Sequence, residues 1–369
     1  MGQTNNKDGA TLKALTDIAP AMLSSLRGDP GLLGATSHSI LLFIIDGLGD
    51  MQLREFASMA PTLARLRTNP ISAMFPCVTP VNLASIVTGV GPGEHGLVGT
   101  SMLLDGHRFH SVRHQYLQWS GEPVRCQMAE TFTQLARALG VGTYHLGPQK
   151  TIGTSFTRAL FPDATELTTT SPEQAGIVAL DILRRPDRSI VTLYTDAVDA
   201  AAHHAGVGST AYIQALRGVE QTVDTLVRGL PRQTTMICTA DHGSINLDRK
   251  EVLDISAIPE LRRGVRWVGG NIRVRHIYLK NADSDSALRR WHSVIGDGRT
   301  VLAKEEAIAR GWFGATVTNE ARARMGDIIA VDRGRGGIVA KMRKTPLPVA
   351  DHGTLLPEER LVPLILLSR

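Results

Sequence analysis

The segment Ile40-Leu-Leu-Phe-Ile-Ile45 constrains this chain more than any other: six apolar residues in a row, closed at once by Asp46-Gly47. A run that short, stopped by an acid and a glycine, reads as a strand buried on both faces, as in a parallel sheet. The design recurs. Ser189-Ile-Val-Thr-Leu-Tyr194 ends near Asp196 and Asp199, and Thr234-Thr-Met-Ile-Cys-Thr239 ends at Asp241-His242-Gly243. Helical stretches at 129–140, 172–184 and 210–229 lie between and around them. This alternation predicts an α/β fold with a mainly parallel central sheet flanked by helices. Such sheets bind ligands at the carboxyl ends of their strands, where these acids and histidines stand.

A length of 369 residues suits one large domain with an insertion, or two modest ones. Residues 11–28 read as an amphipathic helix interrupted by Pro20, followed by a polar, glycine-containing linker. The expected division is 1–36 as N-terminal helix and linker, 37–246 plus 346–369 as the catalytic core, and 247–345 as an inserted cap or substrate segment. That last stretch is richer in arginine. Trp267–His276 alternates like strands around a Gly-Gly turn, Lys304–Arg310 reads as a short helix, and Gly326–Val331 reads as a strand before the loop Arg333–Gly337.

The net charge of +5 fits an anionic substrate, but it is spread along the chain and marks no nucleic-acid patch. Cys77, Cys126 and Cys238 are odd in number, irregularly spaced and without a C-x-x-C pair, which argues for packing rather than disulfides or a thiolate zinc site. The polar start MGQTNNKDGA lacks a signal-peptide pattern, and no run approaches the roughly 18 apolar residues of a membrane span. A reducing cytoplasm and no membrane contact are therefore the expectation.

Four places carry candidate chemistry. Asp46 follows a buried strand; taken alone it reads as a helix N-cap. Thr79 opens Thr79-Pro-Val-Asn82 ahead of Ile-Val-Thr-Gly89 and His95-Gly96. The plain reading is a capping hydroxyl with Pro80 in the first turn, and such a hydroxyl also faces any phosphate bound at the helix N-terminus. Asp199 and His203 are four apart, so on a helix they share one face and can hold one metal. His204 points a quarter-turn away and reads as surface, while Asp196 is the rival acid. Finally, Asp241-His242-Gly243 and Asp351-His352-Gly353 repeat one tripeptide beside apolar segments. His38, His107, His110, His114, His145, His276 and His292 read as surface or hydrogen-bonded groups.

Three aspartates and three histidines, with no sulfur, suit zinc; manganese or iron is also compatible. Two such ions about 4 Å apart can clamp a phosphate. A threonine hydroxyl is a weak nucleophile at neutral pH unless a metal or base activates it.

Leu42-Phe-Ile-Ile-Asp46-Gly-Leu-Gly49, Thr79 with its Asn82…Gly89…His95-Gly96 tail, Asp199-x-x-x-His203-x-x-Gly206, Asp241-His242-Gly243 and His352-Gly353 together resemble the alkaline phosphatase superfamily, in its type I phosphodiesterase/nucleotide pyrophosphatase branch. The resemblance runs from about residue 37 to the C-terminus and extends to Ala307–Gly314 and Met325–Ile329. It implies an alkaline phosphatase-like fold. It implies one metal on Asp199, His203 and His352, and a second on Asp46, Asp241 and His242 with Thr79 bridging to it. Thr79 would attack phosphorus and form a phospho-threonine. Sulfatases carry a modifiable cysteine followed by x-Pro-x-Arg here; Cys77 is followed by Val-Thr-Pro-Val. Relatives often place an asparagine amide on the phosphate shortly after the His-Gly turn. Thr100 stands at that place, and its hydroxyl can donate one hydrogen bond. Asn82 and Thr100 are the candidate substrate contacts.

The expected partner is a small phosphorylated compound such as a nucleotide derivative. Arg113, Arg273, Arg275, Arg333 and Arg335 are candidates for an anionic leaving group, though solvated surface is the plainer reading of each; Tyr116, Trp119 and Tyr144 are candidates to stack a base. The alternatives are a phosphomonoesterase, phosphonate hydrolase or phosphomutase-like protein on the same core, or a metal-binding protein without turnover. No G-x-G-x-x-G follows the first strand, which disfavours a dinucleotide-dependent dehydrogenase.

Overall fold

The computed structural model describes residues 12–104, 108–111, 126–280, 284–340 and 346–369. The chain enters through helix α1 (Ile18–Leu26). Pro20 does not interrupt it: the helix starts at Ile18, so Pro20 falls in the first turn, where backbone N–H groups have no helical acceptor. The apolar run forms β1 (Ser39–Ile45), buried along its whole length. Helix α2 (Thr79–Thr88) packs against α1.

Three further strands follow: β2 (Gly142–Pro148), β3 (Thr165–Thr169) and, after helix α3 (Pro172–Leu183), β4 (Ser189–Thr195). Helices α4 (Ala197–Ala205) and α5 (Thr210–Gly229) lead to β5 (Thr234–Thr239). All five strands run parallel, and β1 lies between β4 and β5. The registers Ile45 to Thr195 and Ile44 to Thr239 bring the carboxyl ends of these three strands level, so the loops carrying Asp46, Asp199 and Asp241 emerge side by side. The mainly parallel α/β architecture expected from the three apolar runs is the one observed.

A second, antiparallel sheet follows, in the order β6 (Val265–Gly270), β7 (Val274–Leu279), β9 (Ile328–Asp332), β8 (Arg299–Ala303). The expected hairpin is present but turns at 271–273 rather than at the Gly-Gly pair, since Gly269 and Gly270 pair with His276 and Arg275; the helix over Lys304–Ala309 and the strand near 326–331 are also present. Side chains alternate across this sheet. Ile277, Val301, Ile328 and Ala330 join Trp291 of helix α6 (Ser284–Ile295) in a separate small core, while Val274, Leu302, Ile329 and Val331 face the main core. Strand β10 (Leu364–Ser368) then returns antiparallel to β5 at the edge of the first sheet, completing six strands. The three cysteines are free and buried, as packing residues should be. Among the described residues no helix is long and apolar enough to cross a membrane.

Candidate metal centre

The site is assembled at the level carboxyl ends of β1, β4 and β5. The Asp46 N–H donates to the Thr195 carbonyl at 2.9 Å, and the Asp199 N–H donates to the Asp46 carbonyl at 3.2 Å. Gly47 N–H and His242 N–H both donate to Asp241 Oδ1, at 3.1 and 3.0 Å. Gly47 sits at φ +78°, and a Cβ on it would lie 2.7 Å from Asp199 Cβ. Only a glycine turns the chain there and lets α4 approach.

Asp199 lies in the first turn of α4 and His203 one turn on; their Oδ2 and Nε2 are 3.4 Å apart. His352 Nε2 approaches Asp199 Oδ1 at 3.8 Å. His242 Nε2 stands 3.4 Å from Asp46 Oδ1, 3.3 Å from Asp241 Oδ2 and 3.1 Å from Thr79 Oγ1. The His242 and His352 rings stack, with centroids 3.5 Å apart. Asp199, His203 and His352 thus form one potential metal group, as expected. Asp46, Asp199 and His242 form another, so the Asp199 carboxylate faces both, with Asp241 reaching the second through its contact to His242.

Three observations test whether these residues suit cations. The Nδ1 of each imidazole meets a backbone carbonyl: His203 at Ala350, His242 at Gly243 and His352 at Cys77, at 2.7, 3.2 and 2.8 Å. A carbonyl only accepts, so Nδ1 carries the proton and Nε2 presents its lone pair to the centre, the usual outer-shell arrangement of metal-bound histidines. Asp46 Oδ1, Asp199 Oδ1 and Asp241 Oδ2 are buried with no hydrogen-bond partner. Among the described residues, no lysine or arginine ion pair reaches any of the three acids. Crowding and burial show in their proton affinities. Asp46 is raised well above the carboxylate range by burial and then by Asp241 and Asp199. Burial is the leading cause that lifts Asp199 to about 7 and Asp241 to about 6. Burial and then the His203 charge push His242 down to about 3; His352 is pushed well below its ordinary value by burial and then by His242. Crowded acids that meet no lysine or arginine, beside two imidazoles, His242 and His352, whose protonation burial disfavours, fit divalent cations.

Thr79 departs from the capping expectation in a useful way. Val78 holds the N-cap place in extended conformation, Thr79 is the first helical residue, and no side chain caps this end. The Thr79 hydroxyl is therefore left to face His242. Asn82, expected at the substrate, is fully buried instead. Its Oδ1 accepts from Met74 N–H at 2.7 Å, and its Nδ2 donates to the carbonyls of Met74, Pro76 and Val78. With its amide committed to backbone, it shapes the loop that delivers Thr79. His95 is also buried: its Nε2 meets Ser85 Oγ at 3.0 Å and its Nδ1 accepts from Leu97 N–H at 3.1 Å, pinning the next turn to α2. Thr100 is half-buried in the bend that follows and is not among the side chains gathered at the centre.

The rival acid Asp196 pairs with Lys150 instead of joining the cluster, and His204 is exposed. Arg273 is not available to a leaving group. It is fully buried, paired with Asp332 at 2.9 Å and Glu359 at 2.7 Å, and donates to the carbonyls of Gly334 and Gly336. Arg275 donates from Nε to the Ile338 carbonyl at 2.7 Å, while Arg333 and Arg335 are exposed. Tyr144 pairs in register with Val191, as Leu41 does, about 13 Å of strand short of the carboxyl ends, so it is not a stacking residue of this site. Arg113, Tyr116 and Trp119 lie outside the described residues.

Three partners were invisible in the sequence. The Tyr194 hydroxyl donates to Asp46 Oδ2, Asn271 Nδ2 donates to the His352 carbonyl, and buried Glu359 accepts from Thr354 N–H at 2.7 Å.

A family profile described as type I phosphodiesterase/nucleotide pyrophosphatase matches residues 40–355. The chain belongs to that family. The chain is similar to rat ectonucleotide pyrophosphatase/phosphodiesterase family member 3, 26% identical over 238 residues, which are 60% of this chain and 26% of the rat protein. Venom phosphodiesterase 2 of Crotalus adamanteus is 26% identical over 245 residues, 60% of this chain and 29% of its own length. The matches thus span little more than a quarter of these relatives. In fold, murine ectonucleotide pyrophosphatase/phosphodiesterase 5 superposes with a TM-score of 0.71 over 90% of this chain and 88% of its own, at 18% identity. An inactive threonine-to-alanine variant of that protein, in complex with AMP, gives 0.69 over 88% and 87%, also at 18% identity.

Proposed function

We propose that this protein is a two-metal hydrolase of phosphodiester or pyrophosphate bonds, such as those of nucleotide derivatives, with Thr79 as nucleophile. The observation that carries the reading is the uncapped Thr79 hydroxyl, 3.1 Å from His242 Nε2 at the start of α2, beside three orphaned carboxylate oxygens. One ion is held by Asp199, His203 and His352, the other by Asp46, Asp241 and His242, with Asp199 facing both. Oxygen and imidazole donors suit zinc, and manganese or iron fits the same set. When bound, such ions lower the proton affinity of a hydroxyl and neutralise phosphoryl oxygens. The names of the relatives support the bond type, and the inactive alanine variant of the murine relative supports a threonine nucleophile.

The chain's own residues then act as follows. Thr79 Oγ1 attacks phosphorus in line; the Thr79 O–P bond forms as the bond to the leaving oxygen breaks, and that oxygen takes a proton. Water next attacks the phospho-threonine, releasing phosphate or a phosphomonoester and restoring the hydroxyl. The first-turn N–H groups of α2 favour the anion. Asn82 keeps the 74–78 loop in place. The 247–345 segment shapes the leaving-group side.

The test is a metal analysis of purified protein followed by chromogenic substrates. Turnover of a diester in preference to a monoester, lost in Thr79→Ala with both ions retained, is the expected result. Preference for the monoester or a phosphonate moves the protein to another activity on this core. Normal turnover by Thr79→Ala removes the nucleophile.

A further inference from the structure

We propose that Tyr194 is a positioning residue that fixes which oxygen of Asp46 meets the metal, and so sets the affinity of one of the two ions. This inference rests on the two-metal reading. Tyr194 is the penultimate residue of β4, opposite Ile44 of β1, and its buried hydroxyl donates to Asp46 Oδ2. Asp46 Oδ1 has no hydrogen-bond partner and stands 3.4 Å from His242 Nε2. The phenol therefore divides the carboxylate: Oδ2 is satisfied from the sheet side, and Oδ1 is left for the centre.

The backbone of Asp46 is held by Thr195 and Asp199, which places its Cα. Neither contact restrains rotation of the carboxylate about its own axis. The donor that does so is Tyr194. It plays for an aspartate the part that the Ala350, Gly243 and Cys77 carbonyls play for the three histidines. Outer-shell partners of this sort alter metal affinity by about 10–100-fold when removed. The tyrosine lines a cavity of about 10 Å³ together with Leu83, Phe156 and Phe161, and phenylalanine keeps the ring while removing the hydroxyl that donates to Asp46.

The experiment uses the full chain stripped with a chelator. Its apo melting temperature is recorded, and it is then titrated with Zn²⁺ against a chromophoric competitor. Wild type should take up two ions. Tyr194→Phe should bind one ion as wild type does and the other about 10–100-fold more weakly, with an unchanged apo melting temperature. Asp46→Asn should weaken that same ion, which assigns it. Two wild-type affinities in Tyr194→Phe overturn the proposal. So does a lowered apo melting temperature with both affinities intact, which would make the tyrosine a packing residue only. A wild-type protein that takes up no ions overturns the metal reading itself, and this inference with it.

Discussion

Removing the buried carboxylate of Glu359 should cost stability on a scale set by its four donors. Glu359 is fully buried. It accepts from Arg273 Nη2 at 2.7 Å, Arg273 Nε at 3.3 Å, Thr354 N–H at 2.7 Å and Thr354 Oγ at 2.8 Å. Its own carbonyl accepts from Gly243 N–H at 2.9 Å. The side chain thus ties Arg273, beside the second sheet, to the turn after His352, while the backbone of the same residue holds the turn at Gly243. Breaking a buried ion pair from one side costs about 3–5 kcal/mol, because the remaining charge is left uncompensated. Arg273 keeps Asp332 at 2.9 Å and two carbonyls, which points to the lower end of that range. Glu359→Gln preserves volume and one acceptor oxygen, so its expected loss is about 3 kcal/mol. Glu359→Ala also orphans the Thr354 donors, at about 1–3 kcal/mol more. The assay is urea unfolding of metal-stripped protein by tryptophan fluorescence, since bound ions would stabilise the folded state by mass action. Pairing Glu359→Gln with Arg273→Met should cost less than the sum of the single changes, because the two side chains share one interaction. A loss below about 1 kcal/mol for Glu359→Gln, or strict additivity of the pair, would refute the account.

Gly243→Ala should destabilise the fold and weaken metal binding together, because its Cβ would lie 2.1 Å from the Glu358 carbonyl oxygen; melting curves with and without Zn²⁺ check this. Asn82→Ala should cost about 1–3 kcal/mol in urea unfolding through the unpaired Met74 N–H and lower turnover by loosening the loop before Thr79. Chelation should abolish turnover and lower the melting temperature, and added Zn²⁺ should restore both. His95 has its pKa lowered from 6.5 to about 3, by burial and then by the Arg324 charge. The unfolded chain therefore takes up a proton that the folded one refuses. Stability present above pH 6.5 should fall as pH drops towards 3, by up to about 1.4 kcal/mol per pH unit from this group. His95→Gln should show a shallower decline in melting temperature over that window.

The strand framework was legible in the sequence because a strand buried on both faces leaves a local mark: an unbroken apolar run. Ile40–Ile45 is one, and the residue that ends it must face the sheet's carboxyl edge. The same holds for Asp199 and His203, whose spacing of four puts them on one helical face before any tertiary contact forms. Asn82 and Arg273 were misread for a common reason. An amide or guanidinium in a functional-looking stretch carries no sequence mark of whether its partner is a ligand or a carbonyl of its own chain. Tyr194, Asn271 and Glu359 went unseen because their partners lie 148, 81 and 86 residues away in Asp46, His352 and Arg273.

Sequence alone therefore determined which groups arrive at the rim of the parallel sheet, since periodicity and strand termination are local properties of the chain. Tertiary structure decided how each group is turned and what holds it: that Thr79 is uncapped, that Asp199 rather than Asp196 faces the histidines, and that the free oxygen of Asp46 is Oδ1. Orientation depends on hydrogen bonds between distant segments, and those exist only once the sheet has brought the segments together.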